Sequence, residues 1–124
     1  MDIRISNADA RPIYEQLRQQ IRKSILSGEL KEGEALPSIR ALAKDLRISV
    51  ITTKRAYDEL ERDGYIHTVA AKGCYVAPLD RGRVRKDCLR RIEEQLRQAL
   101  ELAHSCGISV DELTEMLRAT EEGE

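Results

Sequence analysis

Basic side chains recur through the middle of the chain in a pattern suited to contact with phosphate groups. The cations Arg40, Lys54, Arg55 and Lys72 fall on segments that would share one face once the chain has folded. Lysine and arginine side chains that neutralise phosphates supply most of the sequence-independent affinity for nucleic acids. These residues therefore predict contact with the backbone of double-stranded DNA.

Two neighbouring apolar residues stand among these cations. Val50 and Ile51 follow Ser49 directly, at the expected start of a helix and off its inward-facing stripe. An exposed β-branched pair at this position suits contact with thymine methyl groups, which are the apolar feature of the major groove. The alternative is that both residues pack against a neighbouring loop.

Groups that could catalyse a reaction or bind a metal are sparse. There is no Gly-rich phosphate loop, and no Ser/His/Asp set is suggested. The strongest metal candidate combines Cys88, His104 and Cys106, but Cys88 lies roughly 24 Å before His104 at helical rise. The three cysteines include Cys74 and lack a C-x-x-C pair. We expect no enzymatic activity, no cofactor and no metal, and reduced thiols.

The composition describes a small chain without a strong electrostatic signal. Its 124 residues carry a net charge of −1, 35% of them are charged, and neither Phe nor Trp is present. Residues 1–78 hold 13 basic against 11 acidic residues, whereas residues 79–124 hold 8 against 11. The mildly basic first part permits nucleic-acid binding without predicting it alone. Neither a signal peptide nor a membrane-spanning apolar run is found, so we expect a cytoplasmic protein without membrane contact.

The segment from Leu36 to Gly64 predicts two helices joined by a tight turn, with Ser38 and Ser49 as their N-caps. Apolar residues recur at helical spacing in each helix: Ile39, Leu42, Ala43 and Leu46 in the first, and Thr53, Ala56, Tyr57 and Leu60 in the second. The connection is so short that the helices must cross steeply, which is the helix-turn-helix arrangement. Any pair of short amphipathic helices in a core is the alternative.

A helix precedes this segment and a hairpin follows it. The stripe Ile13, Leu17, Ile21, Ile25 and Leu26 predicts a helix that opens at Pro12 and ends at Gly28, with Arg18, Arg22 and Lys23 facing away from the core. Residues 1–10 are read as either a β-arm or a frayed terminus. Residues 65–69 and 74–76 predict a hairpin, and a hairpin after a recognition helix is a wing. Its tip carries Lys72 beside Gly73.

A long helix and a short one are predicted after Pro78. The long helix carries apolar residues at spacings of 3, 4, 3 and 4, namely Leu89, Ile92, Leu96, Ala99 and Ala103, and this is the seam of a two-helix packing. Gly107 ends it, and Ser109 with Glu112 caps a final short helix. A unit this small seldom folds alone, so we expect self-association. The alternative is that the long helix packs back on the winged domain.

The order of short motifs resembles the GntR superfamily of bacterial transcription regulators. L-P-S-x-R-x-L-A, S-x-x-T-x-x-R-A, G-Y-I and K-G-x-Y-V follow one another over roughly residues 11–77. The stretches PIYEQLRQQIRKSILSGELKEGEALPS and VITTKRAYDELERDGYI look like the YtrA-type subfamily. That resemblance implies a short C-terminal two-helix dimerisation unit rather than a large ligand-binding or aminotransferase-like domain.

The resemblance also implies roles for single residues. Arg40 matches an arginine that contacts DNA, Ser49 and Thr52 match hydroxyl positions at phosphate, Lys54 matches a basic DNA contact, and Lys72 with Gly73 matches the wing tip. The chain departs from the family at three positions. Val50 replaces an arginine that reads a base in many members, Ala71 replaces a wing glycine, and Cys74 replaces a Thr or Ser. Base specificity therefore cannot be copied from these relatives.

We therefore predict a mainly α fold with a small β-wing. A winged helix-turn-helix domain would cover residues 1–78, a two-helix dimerisation unit residues 79–120, and an acidic disordered tail residues 121–124. The predicted DNA contacts are Ser38, Arg40, Ser49, Val50, Ile51, Thr52, Lys54, Arg55, Lys72 and Gly73. The predicted dimer contacts are Leu89, Ile92, Leu96, Ala99, Ala103, Leu113 and Leu117.

The predicted function is sequence-specific regulation of transcription, as a homodimer on an inverted-repeat DNA operator. The resemblance favours a repressor, and the sequence leaves a small-molecule effector open. The alternative is a winged helix used for protein contacts or for sequence-neutral DNA packaging. The near-neutral charge weakens the packaging version, because neutral binding depends on the density of cations.

Overall fold

The computed structural model describes residues 1–123, which form five α-helices and one two-stranded antiparallel sheet. In chain order these are α1 (Ile13–Ser27), α2 (Ile39–Leu46), α3 (Val50–Arg62), β1 (Ile66–Val69), β2 (Gly73–Val76), α4 (Arg81–Cys106) and α5 (Val110–Gly123). The predicted fold class, mainly α with a β-wing, is confirmed.

The chain forms two compact units, Met1–Val84 and a second that begins at Arg85. The sequence placed the division earlier, after Pro78, and the long helix later, at Val84. Leu79 and Val84 are partly buried against the first core, which extends the first unit past the proline. The long helix accordingly begins at Arg81.

The helix-turn-helix is built as its capping residues predict. Ser38 Oγ accepts a hydrogen bond from the Ala41 N–H at 3.0 Å, and Ser49 Oγ accepts one from the Thr52 N–H at 3.0 Å. These bonds satisfy backbone donors that the first turn of a helix leaves open. The turn between the helices is made by Arg47, whose backbone is left-handed at φ 57° and ψ 46°.

The core of the first unit lies where α1, α2, α3 and the hairpin meet. Its buried members are Leu17, Ile21, Ile25, Leu30, Leu36, Leu42, Ala56, Tyr57, Leu60, Tyr65, Ile66 and Val76. The inward stripe predicted for α3 is confirmed. In α1 the prediction holds for Leu17, Ile21 and Ile25, whereas Leu26, which was assigned to the same stripe, is 42% exposed. In place of Phe and Trp, tyrosines fill large volumes, and the Tyr57 hydroxyl donates to the Pro37 carbonyl at 2.8 Å. Burial raises the pKa of Tyr57, so this phenol remains a hydrogen-bond donor.

Two cations of α1 were predicted to face solvent but are largely buried. The Arg18 guanidinium lies 2.8 Å from Glu15, 3.3 Å from Asp63 and 3.6 Å from Glu59. Arg22 is only 5% exposed. Arg18 is partly buried because it faces Glu59 and Asp63 at the end of α3, and these carboxylates make a partly buried cation acceptable there. Lys23 is exposed, as expected.

The N-terminal segment is neither a β-strand nor a loose end. The side-chain amide of Gln20 accepts from the Arg4 N–H at 2.9 Å and donates to the Arg4 carbonyl at 2.7 Å. Gln16 does the same with the backbone of Ser6, at 2.9 Å in both directions. The amide of each glutamine thus makes the backbone hydrogen bonds that a neighbouring strand would otherwise supply. Ile3 and Ile5 pack against the core.

The wing is held by a third segment, residues 33–36, most of which was predicted to be a loop. β1 and β2 pair from Ile66 opposite Val76 to Val69 opposite Gly73. On the other edge of β2, the Val76 N–H donates to the Glu34 carbonyl and the Leu36 N–H donates to the Cys74 carbonyl, both at 2.9 Å. Because Leu36 nearly adjoins the start of α2, these bonds tie the wing to the helix-turn-helix.

The second unit contains most of α4, a turn at Gly107 and α5. The Ser109 side chain accepts from the Glu112 N–H at 3.2 Å, as the capping residues predict. The acidic tail was expected to be disordered, but α5 continues to Gly123, because glutamate is a good helix former. Glu124 lies outside the described residues. Among residues 1–123, no helix is long and apolar enough to cross a membrane.

Candidate nucleic-acid interface

The first turn of α3 presents two apolar side chains to solvent. Ile51 is 82% exposed and Val50 is 47% exposed, whereas Thr53 behind them is fully buried. The hydroxyl residues Ser49 and Thr52 stand on either side of this pair in the sequence, and Ser49 Oγ donates a hydrogen bond to Thr52 Oγ1 at 2.8 Å. The N-terminus of this helix can approach a phosphate with its free backbone N–H groups. Its exposed methyl groups can reach the edges of the bases.

The two cations of α3 differ in how the fold engages them. Lys54 Nζ lies 2.7 Å from Asp58, and this hydrogen bond raises the pKa of Lys54. Both side chains are more than half exposed, so the pair is weak and can be exchanged for a phosphate. Arg55 lies 3.6 Å above the Tyr14 ring and 3.3 Å from Glu59, so it joins α1 to α3. Sequence reasoning missed that packing role.

The exposed side of α2 carries the least engaged cations. Arg40 is exposed and has no ion-pair partner among residues 1–123. Lys44 and Arg47 are likewise exposed without an ion pair among these residues, although neither is among the predicted DNA contacts. Their spacing of four and seven residues from Arg40 is the signal that could have found them. The Ser38 hydroxyl is already used as the cap of this helix.

The wing tip places one free cation on a tight turn. Lys72 is exposed and unpaired within the described part of the chain, and its N–H closes the turn on the Val69 carbonyl at 2.9 Å. Gly73 has a φ of 113°, which suits glycine. Ala71, the preceding turn residue but one, adopts a φ of 65°. The turn can therefore offer the Lys72 ammonium to a phosphate.

The structure places every predicted DNA contact on the first unit. All of them are exposed except Thr52, which is half-buried. They lie on α2 and its cap, on the first half of α3 with its cap, and on the wing tip.

The predicted dimer residues lie on the second unit. Leu89, Ile92 and Leu96 are 50%, 53% and 52% exposed, although they are large and apolar. Ala103 was predicted as a dimer contact, but it is buried within the single chain and is not available to a partner. The chain turns back at Gly107, and the Ile108 N–H donates to the Ala103 carbonyl at 2.8 Å.

A groove of about 350 Å³ continues the exposed apolar face between α4 and α5. Its walls are Leu96, Ala99, Leu100, Val110, Leu113, Thr114, Met116, Leu117 and Thr120. Of the remaining predicted dimer contacts, Ala99 and Leu117 are exposed and Leu113 is half-buried. The second unit thus carries a large unburied apolar surface for its size.

Comparison with known proteins gives one consistent result. The family model for the bacterial regulatory proteins of the gntR family matches residues 13–76. The HTH-type transcriptional repressor YtrA of Bacillus subtilis is 35% identical over 116 residues, which are 94% of this chain and 89% of that protein. The matched family and this relative are transcription regulators rather than enzymes.

Solved structures agree with this match. A transcriptional antiterminator from Listeria monocytogenes superposes with a TM-score of 0.74 and 28% identity, covering 100% of this chain and 91% of that one. YtrA from Sulfolobus acidocaldarius, a GntR-family transcription factor, gives a TM-score of 0.58 and 36% identity, covering 73% of this chain and 97% of that one. The chain therefore belongs to the GntR family, as a DNA-binding transcriptional regulator with a winged helix-turn-helix domain.

Proposed function

We propose that this regulator is a cytoplasmic repressor that binds an inverted-repeat DNA operator as a homodimer. The proposal depends on two features of the chain. Val50 and Ile51 are exposed in the first turn of α3, and the apolar face of α4 and α5 is not buried within the chain. The repressor assignment is supported by the relative named as the repressor YtrA, which spans nearly the same length.

The apolar face supports the homodimer. Leu89, Ile92 and Leu96 are each about half exposed, and fully burying such a side chain stabilises a protein by about 1.5–3 kcal/mol. A second copy of the same chain offers a matching face, and a two-fold axis lets each copy contribute the same residues. Two recognition helices related by this axis would read two half-sites, centred about 10 base pairs or a multiple of that apart.

The proposed DNA contacts divide into positioning and reading. Arg40, Lys54 and Lys72 would contact phosphates and fix the protein on the duplex, which carries no sequence information directly. Ser49 and Thr52 would bring the N-terminus of α3 to a phosphate, where the backbone N–H groups favour negative charge. The remaining exposed side chains of the first turn, Val50 and Ile51, would touch base edges.

Selection from a random duplex library tests the operator. The expected result is enrichment of an inverted repeat with half-sites about one helical turn or its multiples apart. Enrichment of no sequence, with binding that depends only on cation density, would contradict the proposal and favour sequence-neutral packaging. An absence of any duplex binding would instead favour a protein-interaction role.

Sedimentation of a charge variant tests the dimer. Replacing Ile92 and Leu96 together with Asp would bury unpaired charge in the interface, at a cost of several kcal/mol. The expected result is a folded monomer with weakened operator binding. Gln98→Asp is the control, because it adds a negative charge at an exposed polar position of α4 that lies off the seam, and it should remain dimeric. An unchanged dimer in the Ile92 and Leu96 variant would contradict the proposed interface.

A further inference from the structure

α2 carries cations for which the fold supplies no partners. Lys44 and Arg47 follow Arg40 at intervals of four and three residues, and all three are exposed without an ion pair within the described residues. The cations of α3 are different, since Lys54 and Arg55 lie 2.7 and 3.3 Å from carboxylates. Three unpaired like charges on one short helix and its C-terminal cap repel one another, so the arrangement favours an anionic partner.

The backbone of Arg47 gives an independent reason to look for a role of its side chain. This residue ends α2 in the left-handed conformation, at φ 57°. Glycine takes that conformation without steric cost, and α1 and α4 are both followed by glycines with positive φ, Gly28 and Gly107. An arginine is therefore strained where a glycine would serve the fold. Strain kept at a position without a packing reason points to function.

Arg47 lies between the cations of α2 and the first turn of α3, which carries Val50 and Ile51. Arg47 lies two residues before Ser49, the cap of α3, so the stripe runs from the start of α2 to the start of the recognition helix. From Arg40 to Lys44 the helix rises about 6 Å. Asp45 is also exposed, but it lies about 100° around the helix axis from Lys44 and so leaves the stripe uninterrupted.

We infer that Lys44 and Arg47 bind phosphates of the DNA backbone beside the one assigned to Arg40, so that α2 follows the backbone over its whole length. The inference rests on the proposed contact between the start of α3 and DNA. It assigns two contacts that the sequence motifs do not indicate. These contacts would add affinity for every duplex equally, because phosphates carry no base identity.

Salt dependence tests the inference. The dissociation constant of the full chain would be measured on the selected operator and on a random duplex between 50 and 200 mM salt. Lys44→Gln and Arg47→Gly should each reduce the slope of log affinity against log salt by about 0.9 on both duplexes. For each variant, the loss of affinity across this fourfold salt range should be about 3.5-fold smaller than for the wild type.

Three comparisons make the result specific. Arg47→Gly should keep or raise the melting temperature, because glycine relieves the left-handed backbone. Arg47→Lys keeps the charge and should retain the wild-type slope. Lys23→Gln removes an exposed, unpaired cation of α1 and should leave the slope unchanged.

Unchanged slopes in both Lys44→Gln and Arg47→Gly would overturn the inference. So would a change in the preferred base with an intact slope, because that result would make these residues readers of sequence. A wild type that binds operator and random duplex equally would contradict the proposed operator, whereas the random-duplex slopes would still decide the role of Lys44 and Arg47.

Discussion

The Arg55 guanidinium lies 3.6 Å above the ring of Tyr14, so a cation of the recognition helix is held by the first helix of the domain. Glu59, one turn further along α3, holds the same guanidinium at 3.3 Å. The orientation of α3 on α1 is therefore supported at the edge of the interface as well as in its apolar centre. Stability and DNA contact can be separated at this residue by experiment.

A double-mutant cycle measures the Arg55–Tyr14 contact. Arg55→Met and Tyr14→Leu should each lower the free energy of unfolding, and their coupling should be about 0.5–1 kcal/mol, as for an exposed cation–π pair. Denaturant unfolding of the four proteins provides the measurement. Strictly additive losses would show that the contact contributes nothing. Because Glu59 already pairs this cation, Arg55→Met should change the salt slope of DNA binding less than Arg40→Ala does.

The Arg18 cluster predicts a dependence of stability on pH. Burial alone would raise the pKa of Glu15, but the hydrogen bond and charge of Arg18 outweigh it and lower the pKa below its ordinary 4.5. A carboxyl group whose pKa is lowered by folding stabilises the fold at pH values above its pKa in the unfolded chain. This stability is lost as the pH falls through its pKa in the folded protein.

Thermal unfolding of Glu15→Gln between pH 8 and pH 3 tests this dependence. The melting temperature of the variant should lie below that of the wild type by a constant amount above about pH 5, and the gap should narrow below about pH 4.5. Glu32→Gln, in an exposed loop position, serves as the control and should show no such gap. A gap that persists or widens toward pH 3 would mean that Glu15 is not stabilised as the carboxylate.

Periodic features of this fold could be predicted from the sequence, and non-periodic ones could not. The cap serines Ser38 and Ser49 and the inward stripe of α3 follow from spacing, because helical geometry places such residues on one face. The wing follows from β-branched residues around a glycine turn. These features locate the exposed start of α3 without any structure.

Contacts between distant segments left no such signal. Gln16 and Gln20 clamp the N-terminal backbone, but glutamines on a helix usually face water. Arg18 looked solvated because its acidic partner Asp63 is 45 residues away. Ala103 fits the dimer seam by spacing, but its side chain is buried within its own chain. For both glutamines, and for Arg18 with Asp63, the side chain finds a partner that only the tertiary fold brings near.

The positioning role of the remaining free cations predicts a uniform loss of affinity. Arg40→Ala and Lys72→Ala should weaken binding to every duplex and reduce the salt slope by about one unit each. Binding titrations at several salt concentrations, with Lys23→Ala as the control, provide the measurement. If either variant changed the preferred base and kept the slope, its residue would be reading sequence rather than contacting phosphate.

We expect the first turn of α3 to read the operator through apolar contact. Val50 and Ile51 cannot form side-chain hydrogen bonds, so any reading by them must act on the thymine methyl group or exclude another base. Replacing one such thymine by uracil in a single half-site removes only one methyl group. The loss should be about 0.8 kcal/mol, or about fourfold in affinity, for one buried group of this size.

Uracil scanning across the operator, with the wild type, Val50→Ala and Ile51→Ala, tests this claim most directly. Each half-site should contain at least one thymine whose single replacement weakens wild-type binding about fourfold. One of the alanine variants should lose this difference while keeping its melting temperature, because Ile51 is 82% exposed and Val50 47% exposed. If no thymine methyl affects binding, or if the alanine variants melt several degrees lower, these residues pack within the protein and the claim is contradicted.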